Sequence, residues 1–121
     1  MKIAIPTKES GSDAAYNPRF GRSPYFYIVD PETGEGESFP NPSVNADSGA
    51  GVQAAQFIAG QGATVVISNS FGPKAYQTLN AARIQMFLAP ESENTSILDV
   101  LTKYREGQLT EAEGPTNRGG H

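Results

Sequence analysis

In TVVIS, residues 64–68, four β-branched side chains run without polar alternation up to Ser68. A strand of that kind meets apolar neighbours on both of its faces, so it belongs inside a sheet that is covered on both sides. That requirement demands helices, and the flanking segments supply them. KIAIP (2–6) alternates Ile3 and Ile5, stops at Pro6 and reads as a first strand. YFYIVD (25–30) reads as a second, and ETGE turns tightly into GESFPN (36–41), a more polar third strand suited to a sheet edge. SGAGVQAAQFIAGQG (48–62) predicts a helix with Val52, Ala55 and Ala59 on its apolar stripe, ending at the glycines. FGPKAYQTLNAAR (71–83) predicts a second helix, capped by Gly72 with Pro73 at its first position and with Ala75, Leu79 and Ala82 on one face. IQMFLA (84–89) is the last expected strand. ENTSILDVLTKYREG (93–107) is a third helix, capped by Asn94 or Thr95, with Leu98, Leu101 and Tyr104 as its stripe. The remaining residues, 108–121, show no periodicity and predict a flexible C-terminal tail after a single α/β domain over 1–107.

The order β-β-β-α-β-α-β-α implies an antiparallel hairpin region joined to a parallel half by right-handed crossovers. Strands one, three, four and five then point the same way, and the loops at 7–24, 41–51, 69–74 and 90–94 gather at one rim. Open α/β sheets bind their ligands at that rim. With 121 residues and a formal net charge of −4, the chain has room for one core and no general basic face, which argues against nucleic-acid and anionic-membrane partners. No cysteine occurs, which excludes disulfides, thiolate zinc and an all-cysteine iron–sulfur site. The opening MKIAIPTKES is too short an apolar stretch for a signal peptide or membrane span, so the expected compartment is the cytoplasm.

Any anion site must therefore be local, and YNPRFGRSPYFYIVD (16–30) is the place to seek it. Arg19 and Arg22 flank Phe20 and Gly21, the glycine allows close backbone approach, and Pro18 and Pro24 stiffen the loop. Two readings stand: guanidinium donors aimed at an anion, or surface cations paired with carboxylates of an acidic protein. Ser48, Gly49, Ala50 and Gly51 form a glycine-rich entrance to the first helix, without the lysine of a P-loop or the glycine spacing of a dinucleotide fingerprint. Gly72, Pro73 and Lys74 offer a second helix start, although Gly-Pro is also an ordinary way to begin a helix. Phe57, off the first helix's stripe, either meets a partner or packs beneath a neighbouring element. Enzymatic readings fare poorly: the one histidine is His121 at the chain's end, and strand one holds no carboxylate for metal-dependent hydrolysis.

Five stretches together resemble a known family: the apolar opening MKIAIP, then PRFGRSPYFYIVD, GAGVQAAQFIAGQGATVVIS, FGPKAYQTLNAARIQMFLA and the ending EGQLTEAEGP. In these the chain is similar to the dinitrogenase iron–molybdenum cofactor biosynthesis family, over roughly residues 1 to 115. The resemblance implies a ribonuclease H-like three-layer fold, with a five-stranded mixed sheet flanked by helices. It also implies a non-enzymatic carrier or scaffold, a nitrogen-fixation accessory for an anionic metal cluster, either the iron–molybdenum cofactor, its precursor or an iron–sulfur cluster. The implied partners are that cluster and a cluster-assembly or nitrogenase-related protein. The cofactor-binding residues would be Arg19, Phe20, Gly21, Arg22, Ser48, Gly49, Ala50, Gly51, Gly72, Pro73 and Lys74. Many members carry histidine where this chain has Arg19 and Ser48, so direct ligation would fall to carboxylates, Tyr16 or His121. The alternative is a regulatory or protein-interaction module that binds a small anion or a partner protein.

Overall fold

The computed structural model describes residues 1–45, 49–69, 71–89, 95–112 and 114. In chain order the elements are β1 (Ile3–Thr7), β2 (Tyr25–Val29), β3 (Gly36–Pro40), α1 (Ala50–Gly60), β4 (Val65–Ser68), α2 (Pro73–Ala81), β5 (Gln85–Leu88), α3 (Ile97–Arg105) and β6 (Thr110–Glu111). They build a three-layer α/β architecture around one sheet of order β3-β2-β1-β4-β5-β6. β1, β4 and β5 run parallel, while β2 is antiparallel to both β1 and β3. The hairpin turn is closed by Gly34 N donating to the Asp30 carbonyl at 2.8 Å, with Gly34 at φ 79°.

Strand alternation divides the core between two faces. Ala4, Phe26, Ile28, Val66 and Met86 look toward α1 and α2, where they meet Ala54, Ala55, Ile58, Ala75 and Leu79. Ile3, Ile5, Tyr27, Val29, Val65 and Ile67 look the other way and pack on Ile97, Val100 and Leu101 of α3. β4 is buried along its whole length, as its β-branched run requires. β3, by contrast, lies at the edge and is largely exposed.

Several expectations need correction. The sheet has six strands, not five. β6 pairs Thr110 with Leu88 and Glu111 with Phe87, and Ala112 N donates to the Met86 carbonyl at 2.8 Å. Two residues are too short to show a period, which is why the sequence hides this strand. Within 108–121, expected as a flexible tail, Thr110–Ala112 thus lie on the sheet edge, while residues 113 and 115–121 lie outside the described ones. α1 buries Ala50, Ala54, Ala55 and Ile58, whereas Val52 and Ala59 are only half-buried. Ala82 is exposed and caps the end of α2. In α3 the cap is Ser96, whose hydroxyl accepts from Asp99 N while the Asp99 carboxylate accepts from Ser96 N. Thr95 is therefore not the cap, and Asn94 lies outside the described residues. The α3 core face is Ile97, Val100 and Leu101, with Tyr104 edge-on to Phe87 at 5.2 Å, and Leu98 is left 65% exposed. Phe57 packs under the hairpin, its ring 6.5 Å from Phe26 and 6.0 Å from Phe39.

Just past the Ala82 cap of α2, Arg83 sits at φ 61°, with Ile84 N donating to the Leu79 carbonyl at 3.0 Å. This left-handed position usually holds glycine, because a Cβ there crowds the neighbouring carbonyl. Arg83→Gly should stabilise the fold by about 0.5–1 kcal/mol, after the greater freedom of glycine in the unfolded chain is subtracted. Urea unfolding checks this; an unchanged or lower midpoint would show that the arginine side chain offsets its own backbone strain.

Candidate anion-binding cleft

Three connections leave the same rim of the sheet. The loop after β1 returns along the end of β4: Ser68 Oγ donates to the Pro18 carbonyl at 2.9 Å, and Asn69 N reaches the same oxygen at 3.3 Å. Asn17 Oδ1 accepts from Arg19 N at 2.9 Å and turns the chain outward. Phe20 then dives back into the core, its ring 5.4 Å from Phe26 and 5.7 Å from Phe71. With Phe20 anchored, Arg19 and Arg22 stand exposed on either side. Arg22 Nη1 lies 3.4 Å from the Val44 carbonyl.

Gly21 is set directly on the first turn of α1. A Cβ there would lie 3.0 Å from Gly51 N and 3.1 Å from Gly51 Cα, tight enough that the α1 backbone would have to give by a few tenths of an ångström. Gly51 in turn lies under α2, where a Cβ would meet Ala75 Cβ at 3.0 Å. The missing side chains bring the arginine loop, the start of α1 and the start of α2 together. Gly49 serves as the α1 N-cap at φ 72°, a conformation that favours glycine.

Between these three segments opens a cleft of about 580 Å³. Arg19, Phe20, Gly21 and Arg22 line one wall, Gly49, Ala50 and Gly51 a second, and Gly72, Pro73 and Lys74 a third. Every residue that the resemblance assigns to cofactor binding lines this cleft, save Ser48, which lies outside the described residues. Val52 and Ala75 complete the lining. The described lining contains three cations and no carboxylate, in a chain whose net charge is −4. Among the described residues, α1 and α2 both start here without a side-chain cap and without an acidic residue in the first turn. α3, which starts elsewhere, has both. The first N–H groups of a helix carry the positive end of its dipole, and Lys74 adds a cation where that dipole disfavours one. Such a place gains most from an anion.

Direct metal ligation finds little to work with. Among the described residues no group of three or more His, Cys, Asp or Glu could hold a metal ion. Tyr16 is 2% exposed, and its hydroxyl donates to the Ala89 carbonyl at 3.0 Å, so it is a core residue rather than a ligand. His121 lies outside the described residues.

Sequence reasoning missed Asn41 and Ser43, both buried just behind the arginine loop. Asn41 Nδ2 donates to the Gly21 and Ser23 carbonyls at 3.2 and 2.8 Å. The signal was the Asn-Pro-Ser that follows β3: asparagine before proline starts a turn, and here Asn41 Oδ1 accepts from Ser43 N at 2.9 Å.

The sequence pattern of the family described as "Dinitrogenase iron-molybdenum cofactor" matches residues 1–107. The chain belongs to that family. An uncharacterised protein of Methanocaldococcus jannaschii is 34% identical over 116 residues, covering 93% of this chain and 92% of the relative. The apo form of the orange protein from Desulfovibrio gigas has the same fold, with a TM-score of 0.89, 34% identity and 96% of each chain covered. A Thermotoga protein of the DUF35 family follows at a TM-score of 0.82 and 27% identity, with 98% of each chain covered. As a member of the dinitrogenase iron–molybdenum cofactor family the protein is non-enzymatic, a binding or scaffold chain in a metal-cluster context. No helix among its described residues is long and apolar enough to cross a membrane.

The glycine contact gives a direct test of how the cleft is assembled. Gly21→Ala should destabilise the fold by about 1–3 kcal/mol, because backbone of α1 cannot rotate out of the way as a side chain would. Gly34→Ala is no control, since its φ is itself left-handed, whereas Gly60→Ala meets open space and should change stability far less. Equal effects at positions 21 and 60 in thermal unfolding would contradict the close approach.

Proposed function

We propose that this protein carries or scaffolds an anionic metal cluster, the iron–molybdenum cofactor, its precursor or an iron–sulfur cluster, and holds it as cargo in the cleft by charge and hydrogen bonds. The observation that supports this reading best is the pairing of Arg19, Arg22 and Lys74 with two uncapped helix starts, where no described residue of the wall is a carboxylate or a soft ligand. Guanidinium groups present several donors in a fixed plane and suit an anion that spreads charge over many atoms. Backbone N–H groups of α1 and α2 add donors that need no ordering on binding. A ligand held this way keeps its own coordination shell and leaves as readily as it arrives, which suits delivery to a cluster-assembly or nitrogenase-related partner in the cytoplasm. By the family resemblance many members carry histidine at the positions of Arg19 and Ser48, and at position 19 a charge takes over from ligation. The solved apo form of the orange protein, alike over nearly the whole chain, fits a fold that stands without its ligand. We read strands β3-β2-β1-β4-β5, with β2 reversed, as a ribonuclease H-like sheet to which β6 is added.

Extracted iron–molybdenum cofactor, titrated anaerobically and followed by visible absorption, tests the reading. Binding should weaken steeply with salt, since exposed ion pairs are screened over about 8 Å at physiological ionic strength. Loss of Arg19 and Arg22 together, as alanines, should lower affinity by about a hundredfold, two charge-assisted contacts at roughly 1.4 kcal/mol each. Salt-independent binding that survives loss of both arginines would contradict it, and equal competition by small anions such as phosphate would favour a small-anion module instead.

A further inference from the structure

We infer that Asn41, supported by Ser43, is the positioning residue of the arginine loop, which sets how well the cleft takes an anion without touching the anion itself. This rests on the reading of the cleft given above. Asn41 directly follows β3 and is 3% exposed, and neither it nor Ser43 lines the cleft. Its amide nitrogen donates to the carbonyls of Gly21 and Ser23, at 3.2 and 2.8 Å, the residues on either side of Arg22. Its backbone N–H donates to the Pro24 carbonyl at 2.9 Å. Asn41 Oδ1 accepts from Ser43 N at 2.9 Å and lies 2.7 Å from Ser43 Oγ, which itself sits 3.1 Å from the Gly21 carbonyl. The side chain's two N–H groups and its oxygen are all engaged, two of these bonds on the loop and the others on the Ser43 brace.

Two physical consequences follow for the cleft. Gly21 has no side chain, and glycine's backbone is free to rotate; the Asn41 bonds to the carbonyls on either side of Arg22 add to the packing on α1 and restrict that rotation before any ligand arrives. The same bonds turn the carbonyl oxygens of Gly21 and Ser23 toward a buried amide. Carbonyl dipoles aimed into the cleft would repel an anion, so holding them inward preserves the positive field that the arginines and helix starts create. Only an amide of this length does both, since aspartate has no N–H to donate and alanine has neither group.

The test joins ligand binding to a ligand-free readout. Extracted iron–molybdenum cofactor should bind Asn41→Ala about tenfold more weakly at every salt concentration, about one hydrogen bond to a preorganised loop, with the salt dependence of the wild type because all three cations remain. Limited trypsin digestion should cut between Arg22 and Ser23 about tenfold faster than in the wild type, while cleavage after Lys103 keeps its wild-type rate. Ser43→Ala should shift both readouts the same way by less, and decides the matter if Asn41→Ala does not fold. Unchanged cleavage after Arg22, parallel acceleration at both sites, or faster cleavage with wild-type affinity would each overturn the inference. Failure of the wild type to bind the cofactor at any salt would refute the function reading instead, and the cleavage ratio alone would then decide whether Asn41 holds the loop.

Discussion

The contact on which the cleft depends is between two glycines. Gly21 lies so near the first turn of α1 that a Cβ would come within 3.0 Å of Gly51 N, and Gly51 leaves the same small gap to Ala75 on α2. That seam lets the three connections close on one another and brings their cations around one cleft. The seam also explains why Phe20 is anchored between Phe26 and Phe71 rather than offered to a ligand. An aromatic anchor fixes the depth of the loop, and glycine lets the loop descend that far.

Electrostatics then gives the seam its use. A chain of net charge −4 has little reason to collect Arg19, Arg22 and Lys74 around one cleft, and less to place Lys74 in the first turn of a helix. Cations near a helix start cost stability, typically about 0.3–1 kcal/mol each at an exposed position. α3 shows what the same chain does where no ligand is expected: Ser96 and Asp99 satisfy the exposed N–H groups and supply a negative charge. Among the described residues, the starts of α1 and α2 lack the cap and the acidic residue that α3 has, and the proposed anion would supply the missing negative charge.

Much of this was legible in the sequence. TVVIS showed a strand covered on both faces because β-branched side chains ran without interruption, and strand order alone brought Arg19, Gly49 and Gly72 to one rim. What escaped has physical reasons. α1 is rich in small residues, so several stripes look equally apolar and only packing shows that Ala54 and Ile58, not Val52 and Ala59, face the sheet. α3 offers Ile97 and Leu98 side by side, and the Ser96 cap decides which one turns inward. β6 has two residues and exists only because β5 has a free edge. Asn41 acts through bonds to residues 18 to 20 positions away, which no local pattern carries.

The most direct measurement of the central claim, that an anion settles on the two helix starts between the arginines, is an NMR titration of isotope-labelled protein with molybdate. The account predicts that the backbone amides of Ala50, Gly51, Lys74 and Ala75 and the guanidinium signals of Arg19 and Arg22 move together and saturate. The amides at the start of α3 should stay still. Shifts that fall at α3 or at the β2–β3 turn while the cleft amides remain unmoved would contradict it.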